Sequence, residues 1–168
     1  MTTNDLAWEQ RVAELWNSID AYEPDAFVAA MDALSLELSP QSAVGLFERA
    51  SAQDSTGHPD LAVPLYRAAL NAGLTGLRRR RATIQLASSL RNLGSPQETV
   101  ELLSAEMGTA SDELGGAVDA FLALALADLG REREALAISL TALSRYLPRY
   151  NRSLARYASE IAPLDHAP

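Results

Sequence analysis

Few side chains in this 168-residue chain are of a type that does chemistry. There is no Cys, which excludes a thiol nucleophile, a disulfide framework and a zinc thiolate site. Of the two histidines, His166 lies in the last residues and His58 precedes Pro59 at a turn signal, where it reads as a helix N-cap neighbour. A metal site needs three or four convergent ligands; Asp25 with Asp32, or Glu132 with Glu134, read instead as solvated helix faces. Gly115-Gly116 stands without the flanking pattern of a phosphate-cradling loop. Many serines are present, but no neighbouring base is evident to activate one. The expectation is a protein that is not an enzyme, with no cofactor and no metal.

Two basic features remain. Arg78-Arg79-Arg80-Arg81 opens a helix, at the end where the helix dipole is positive. Cations there are unfavourable by roughly 0.3–1 kcal/mol each at low salt, so acids such as Glu48 or Asp54 are expected to offset them. The functional alternative is an acidic partner, including the acidic half of another copy. Arg145, Arg149, Arg152 and Arg156 recur at helical spacing with Tyr146, Tyr150 and Tyr157 alongside. Such a face could stack on a nucleic acid or a peptide, and a regulatory protein contacting nucleic acid this way is the alternative function. The plainer expectation makes the arginines the wet side of a terminal helix and the tyrosines its buried side.

The charge balance speaks against nucleic acid. Fourteen Arg and no Lys stand against twenty-two acids, a net charge of −8, whereas phosphate binding needs clustered bases. Residues 1–60 hold eleven acids and two bases, while residues 61–168 are nearly balanced. That asymmetry suggests head-to-tail docking, hence a possible homo-oligomer, or a polar contact surface. No apolar run approaches the ~20 residues that cross a bilayer. Met1 to Asp5 lack the basic start and apolar core of a signal peptide. No membrane association and a cytoplasmic location are expected.

These residues must be positioned by helices. Ala (30) and Leu (27) make up about a third of the chain, whereas Val plus Ile comes to 10, a composition that favours helix over sheet. Apolar periodicity broken by turn signals predicts nine helices and an all-α fold. The first starts at the cap cluster Thr3-Asn4-Asp5 and runs to Ile19, with Leu6, Val12, Leu15, Trp16 and Ile19 as its stripe. Glu23-Pro24 opens the second, which buries Phe27, Ala30, Met31 and Leu34; Ser39-Pro40 opens the third. The fourth runs from Pro59 to Asn71 with Pro64 inside it, expected to loosen its first turns. The fifth spans Thr75 to Leu93. Ser95-Pro96-Gln97-Glu98 reads as a capping box for the sixth, which ends near Met107. The seventh spans Ser111 to Leu129, the eighth Glu132 to Tyr146, and the ninth starts at Pro148 and ends near Ala162.

Three helix pairs overlay on one another. Their turn glycines, Gly57, Gly94 and Gly130, are 37 and 36 residues apart. Seven residues before each stand Ala50, Ala87 and Ala123. Five after stand Ala62, Thr99 and Ala135. Twelve after stand Ala69, Glu106 and Ala142, followed by Leu70, Met107 and Leu143. Small residues at fixed points on both helices let the backbones of a hairpin approach, with large apolar residues filling the gap to the next pair. Stacking several hairpins then builds the core.

In these segments the chain resembles the tetratricopeptide repeat (TPR) family, as a short divergent bacterial member. The best matches are Ala50 to Leu70 (ASAQDSTGHPDLAVPLYRAAL) and Ala123 to Leu143 (ALALADLGREREALAISLTAL). Tyr66 holds the family's aromatic place in the first repeat; Leu103 and Ser139 replace it in the others. Pro148 stands for the family's closing proline, one place late. The resemblance implies a right-handed α-α superhelix, a TPR-like solenoid of helical hairpins. The chain would be a single domain: residues 1–38 a divergent N-terminal hairpin, residues 40–148 three repeats, and residues 148–162 a capping helix.

The resemblance also implies a non-catalytic scaffold or adaptor for protein–protein interaction, with a peptide or protein partner in a concave groove lined by first helices. By register the groove would present Phe47, Ser51 and Asp54, then Arg81, Gln85, Ser88, Arg91 and Asn92, then Phe121, Leu124 and Asp128. The family's carboxylate clamp of Lys and Asn is missing, since Phe47, Ser51 and Gln85 stand in its places. The mixture suits an extended peptide, its backbone met by polar side chains and its apolar side chains held by the two rings.

Overall fold

The computed structural model describes residues 3–108 and 113–162, with side chains from Leu6 onward. Among these residues the protein is all-α: nine α-helices, one 3₁₀ turn and no strand. They are α1 (Thr3–Asn17), α2 (Pro24–Ser35), α3 (Ala43–Ser55), α4 (Pro59–Asn71), α5 (Gly76–Asn92), α6 (Pro96–Glu106), α7 (Gly115–Asp128), α8 (Glu132–Ser144) and α9 (Asn151–Ile161), with the 3₁₀ turn at Ile19–Ala21. They form two compact units, Met1–Ser89 and Leu90–Pro168. Within them, neighbours along the chain pack as in a TPR-like helical solenoid: α1 on α2, α2 on α3, α3 on α4, α6 on α7, α7 on α8, and α8 on α9.

The turn glycines act by one mechanism. Gly57, Gly94 and Gly130 have φ of 88°, 83° and 73°, a left-handed conformation that only glycine adopts without strain. At each, the glycine N–H bonds back three residues (to Asp54, Arg91 and Ala127). The following N–H bonds back five, to Gln53, Leu90 and Leu126. That is the Schellman termination, which satisfies carbonyls a helix end would leave open. The residue after each glycine then starts the second helix with nearly the same backbone, ψ being 64° at His58, 54° at Ser95 and 49° at Arg131.

The nine anchor positions are all buried: the small residues Ala50, Ala87, Ala123, Ala62, Thr99, Ala135, Ala69 and Ala142, and Glu106, where the middle repeat departs from the pattern. Tyr66 and Leu103, in the aromatic place, are buried as well. The residues after the last anchors are not: Met107 and Leu143 are largely exposed, so they fill no gap between hairpins. In the first unit a further core gathers Trp8, Val12 and Leu15 of α1 with Phe27 and Met31 of α2 and Ala52 of α3. Trp16 packs on Phe27 with ring centroids 5.0 Å apart, and Trp8 Nε1 donates to the Leu34 carbonyl at 2.9 Å. Leu6, expected in the α1 stripe, is exposed.

Several helix ends differ from expectation. α1 begins at Thr3, so the expected cap cluster lies in its first turn. α3 starts at Ala43 because Ser42 is the cap, its Oγ accepting from the Gly45 N–H, while Pro40 sits in a turn closed by Ser42 N–H to Ser39 O. Ser95 stands at the N-cap of α6 with Pro96 next to it, but its side chain makes no capping bond. α4 runs unbroken through Pro64. α7 begins at Gly115, and the expected start at Ser111 lies outside the described residues. α8 closes at Ser144, and α9 begins at Asn151, after Tyr150 with φ 65°.

Candidate partner-binding faces

The expected groove residues take different positions in the two units. In the first, Phe47, Ser51 and Asp54 lie on one face of α3, at i, i+4 and i+7. That face is covered by α5 rather than open. Phe47 is fully buried, its ring 6.3 Å from that of Tyr66 and the Arg81 guanidinium 5.3 Å from its centroid. Ser51 is buried too, its hydroxyl donating to Gln85 Oε1 and accepting from Tyr66 Oη, both at 3.4 Å. Asp54 accepts from Ser89 Oγ at 2.8 Å and from Tyr66 Oη at 3.4 Å. Phe47 and Ser51 are therefore corrected from groove lining to interior: periodicity shows which face of a helix is distinct, and the next helix has occupied it.

This buried polar cluster perturbs its members. Burial raises the Asp54 carboxyl above its ordinary range, opposed by the bonds from Ser89 and Tyr66. Burial likewise drives the Tyr66 hydroxyl upward, with the Asp54 charge adding to it. What stays accessible on this face is Arg81, exposed and resting on Phe47, with Gln85 and Ser88 half-buried.

In the second unit Arg91 meets Asp128, Nε to Oδ2 at 2.6 Å and a second guanidinium nitrogen donating to Oδ1 at 3.0 Å. Asn92 is exposed and Phe121 half-buried. Leu124 is 45% exposed and lies in an open apolar trough of about 510 Å³, lined by Ala120, Ala123, Leu124 and Ala127 of α7 and Ala135, Leu136 and Ser139 of α8. Of its lining only Leu124 was expected from the sequence as a groove residue; the alternation of Ala with Leu through α7 was the signal for the rest.

The basic features resolve separately. Arg78 turns inward: its Nε donates to Glu48 at 3.0 Å, and its two terminal nitrogens reach Glu9 at 2.8 and 2.6 Å. Glu48 offsets the cluster as expected, with Glu9 beside it. At the C-terminal side, Tyr146, Tyr150 and Tyr157 are 70%, 78% and 50% exposed, which corrects the expectation that they form a buried side. The inward face of α9 is Ala158 with Leu154 and Ala155, so the small residues take the packing and the rings stay outside. Arg145 bonds Asp119, and Arg156 bonds Glu160 while lying 4.5 Å over the Tyr157 ring.

His58 stands at the N-cap of α4, its Nδ1 3.2 Å from Thr56 Oγ1, and His166 lies outside the described residues. Asp32 is held by Arg49 and Glu134 by Arg131. Among the described residues no three His, Asp or Glu side chains gather as metal ligands, and no helix is long and apolar enough to cross a membrane.

No curated protein and no solved structure matches the chain. A tetratrico peptide repeat family model matches residues 43–161, the stretch that begins with α3 and carries all three glycine-turned hairpins. The small-residue anchors, the repeated turn and this match agree, and the chain belongs to the tetratricopeptide repeat family.

Proposed function

We propose that the chain is a non-catalytic scaffold or adaptor that takes a peptide or protein partner on the first-helix faces of its hairpins. The family generally mediates protein–protein interaction, and that general role is the starting point. The single observation that carries the reading to this chain is that the first-helix faces hold polar side chains in fixed poses. Arg81 is exposed and stacked on Phe47, and Arg91 is clamped by Asp128. A guanidinium already immobilised loses little freedom when it binds a carboxylate or a peptide carbonyl. Gln85, Ser88 and Asn92 then supply donors and acceptors for an extended backbone. With Phe47 interior, no pair of rings grips the peptide, and the recognition is polar. Affinity purification from the native host tests this. The same partners should be recovered with wild type and lost with Arg81→Glu plus Arg91→Glu; unchanged recovery ends the proposal.

The exposed tyrosines support a second reading. Tyr150 and Tyr157 stand with Arg149 and Arg152, whose guanidiniums have no partner among the described residues, a pattern that suits stacking on bases. The net charge of −8 weighs against it. Retention of single-stranded DNA or RNA that falls steeply with salt would favour this reading, and no retention at low salt removes it.

A further inference from the structure

Tyr150 is the one non-glycine residue at positive φ among the described residues, a backbone that a bulky side chain holds only under strain. The turn it makes starts α9, its carbonyl accepting from the Leu154 N–H at 2.9 Å. Its ring is nevertheless 78% exposed, so no packing inside the chain offsets the strain. Strained residues of this kind gather where a protein meets something else. Beside Tyr150 in sequence stand Arg149 and Arg152, exposed and without a partner among the described residues. Tyr157, half-exposed, carries the Arg156 guanidinium 4.5 Å over its ring. Arginine and tyrosine are the side chains that most often dominate the energy of protein–protein contacts.

Charge specifies what covers this face. Residues 145–162 hold four Arg against Glu160, so the partner surface is acidic. The chain carries such a surface in its first unit, where residues 1–42 hold eight acids against Arg11. Three of these acids are taken, Glu9 by Arg78, Asp32 by Arg49 and Glu37 by Arg11. Asp20, Glu23 and Asp25 are exposed and pair with no cation among the described residues. They lie where the 3₁₀ turn leads into α2, and between them stands Tyr22, 41% exposed with its ring edge-on to Phe27 at 6.0 Å. Unpaired arginines flanked by rings in the second unit are thus matched by unpaired carboxylates flanking a ring in the first. Opposed potentials of this kind steer two surfaces together and set their register. Each copy carries one surface of each kind, so two copies close reciprocally or further copies add.

We propose that the face bearing Arg149, Tyr150, Arg152 and Tyr157 docks on the Asp20–Glu23–Asp25 patch of a second copy of this chain. The proposal competes with the nucleic-acid reading of the same face and does not depend on the scaffold reading. Light scattering on the nuclease-treated full chain at about 100 µM, a concentration that populates a weak complex, should give at least twice the monomer mass of 18.1 kDa at low salt. In about 500 mM salt, where screening acts within about 4 Å, the mass should fall to the monomer value. Two variants each remove one surface: Arg149→Glu with Arg152→Glu, and Asp20→Asn with Glu23→Gln and Asp25→Asn. All five residues are exposed, so far-UV spectra should not change, while the concentration needed for assembly should rise at least about tenfold. An equimolar mixture of the two variants retains one intact surface of each kind, and its mass should rise above that of either alone, toward a pair. A wild type that stays monomeric at low salt overturns the proposal. So does assembly that survives either variant, or a mixture no heavier than its components, because the contact then lies elsewhere. Assembly that vanishes on nuclease treatment gives the face to nucleic acid and overturns it as well. None of these failures touches the pull-down test of the scaffold reading.

Discussion

Replacing Arg78 by Met keeps most of the aliphatic stem and removes the guanidinium. Three hydrogen bonds go with it, one to Glu48 and two to Glu9. The Glu48 side chain is 4% exposed, so its carboxylate is left buried with the Trp16 indole N–H at 2.8 Å as its remaining donor among the described residues. Stranding one member of a fully buried ion pair costs about 3–5 kcal/mol. Here the Trp16 bond persists and the Arg78 site is partly open to water, which lowers the expectation to about 2–3 kcal/mol. Glu9 lies at a wetter site and adds less than about 1 kcal/mol. For a chain of this size that corresponds to a melting temperature lower by roughly 5–10 °C. Both tryptophans, Trp8 and Trp16, belong to the first unit, so urea unfolding followed by their fluorescence reports that unit alone. The double variant Arg78→Met, Glu48→Gln should lose less than Arg78→Met, since an amide without its partner is cheaper to bury than a carboxylate. A midpoint shift no larger than that of Arg152→Met, or a double variant as weak as the sum of its singles, refutes the reasoning.

Asp54 should weaken the first unit as it ionises. Its folded pKa is raised, chiefly by burial, so its contribution is full below the ordinary carboxylate pKa and is lost as pH rises through the folded value. Asp54→Asn, which cannot ionise and still offers Ser89 an acceptor, should gain relative to wild type as pH rises above the ordinary carboxylate value of about 4, read as urea midpoints; parallel curves would count against the burial. Ala62→Leu forces a larger side chain between α3 and α4, where Ala62 has no exposed surface, and should cost about 1–3 kcal/mol by thermal unfolding. Two glycines should respond oppositely. Gly57→Ala places a Cβ at φ +88° and should cost about 1–2 kcal/mol. Gly116→Ala meets only the Tyr146 hydroxyl, at 2.6 Å on an exposed side chain that can swing away, and should be neutral or gain up to about 1 kcal/mol of helix propensity. A loss at Gly116 as large as that at Gly57 would contradict this.

The hairpins were legible because their causes are local. A glycine at positive φ, a Schellman bond pair and a small residue at a close approach leave marks within one turn of the chain, so Gly57, Gly94, Gly130 and the nine anchors could be located by spacing alone. Coverage is not local. Phe47 and Ser51 sit on the expected face of α3, but whether that face meets water depends on α5, whose nearest contacting residue is Arg81, 34 positions along the chain from Phe47. The tyrosines failed for a related reason: Tyr146 and Tyr150 fall outside α8 and α9, where helical periodicity no longer assigns a side. Trp8 went unnoticed because its partners, Phe27 and Met31, belong to the next helix. Ser42 outcompeted Ser39-Pro40 as the α3 cap through one side-chain bond to Gly45.

The same small-residue frame thus carries different chemistry on its outer faces, and this bears on which helices can meet. On the first hairpin, Ser51 and Asp54 each share one bond with α5, to Gln85 and from Ser89, besides the bond each accepts from Tyr66 of α4. A helix without Gln85 and Ser89 at four-residue spacing leaves buried polar groups unpaired, at about 1–3 kcal/mol each. The slot that α5 fills therefore rejects an apolar stripe such as that of α7. On the third hairpin the rule inverts, because Ala120, Leu124 and Ala127 offer nothing to a polar helix. Converting one to the other tests the rule directly. Ser51→Ala with Asp54→Ala makes the first slot more like the third, and it should leave the buried Tyr66 hydroxyl without either of its acceptors, while Ser89 keeps its bond to the Gln85 carbonyl. Stability read by far-UV circular dichroism, which follows the helices of both units, should fall by about 2–4 kcal/mol, more than for Leu124→Ala with Leu136→Ala on the exposed third hairpin. Equal losses would mean that packing volume alone, and not polar matching, selects the helix that covers a hairpin.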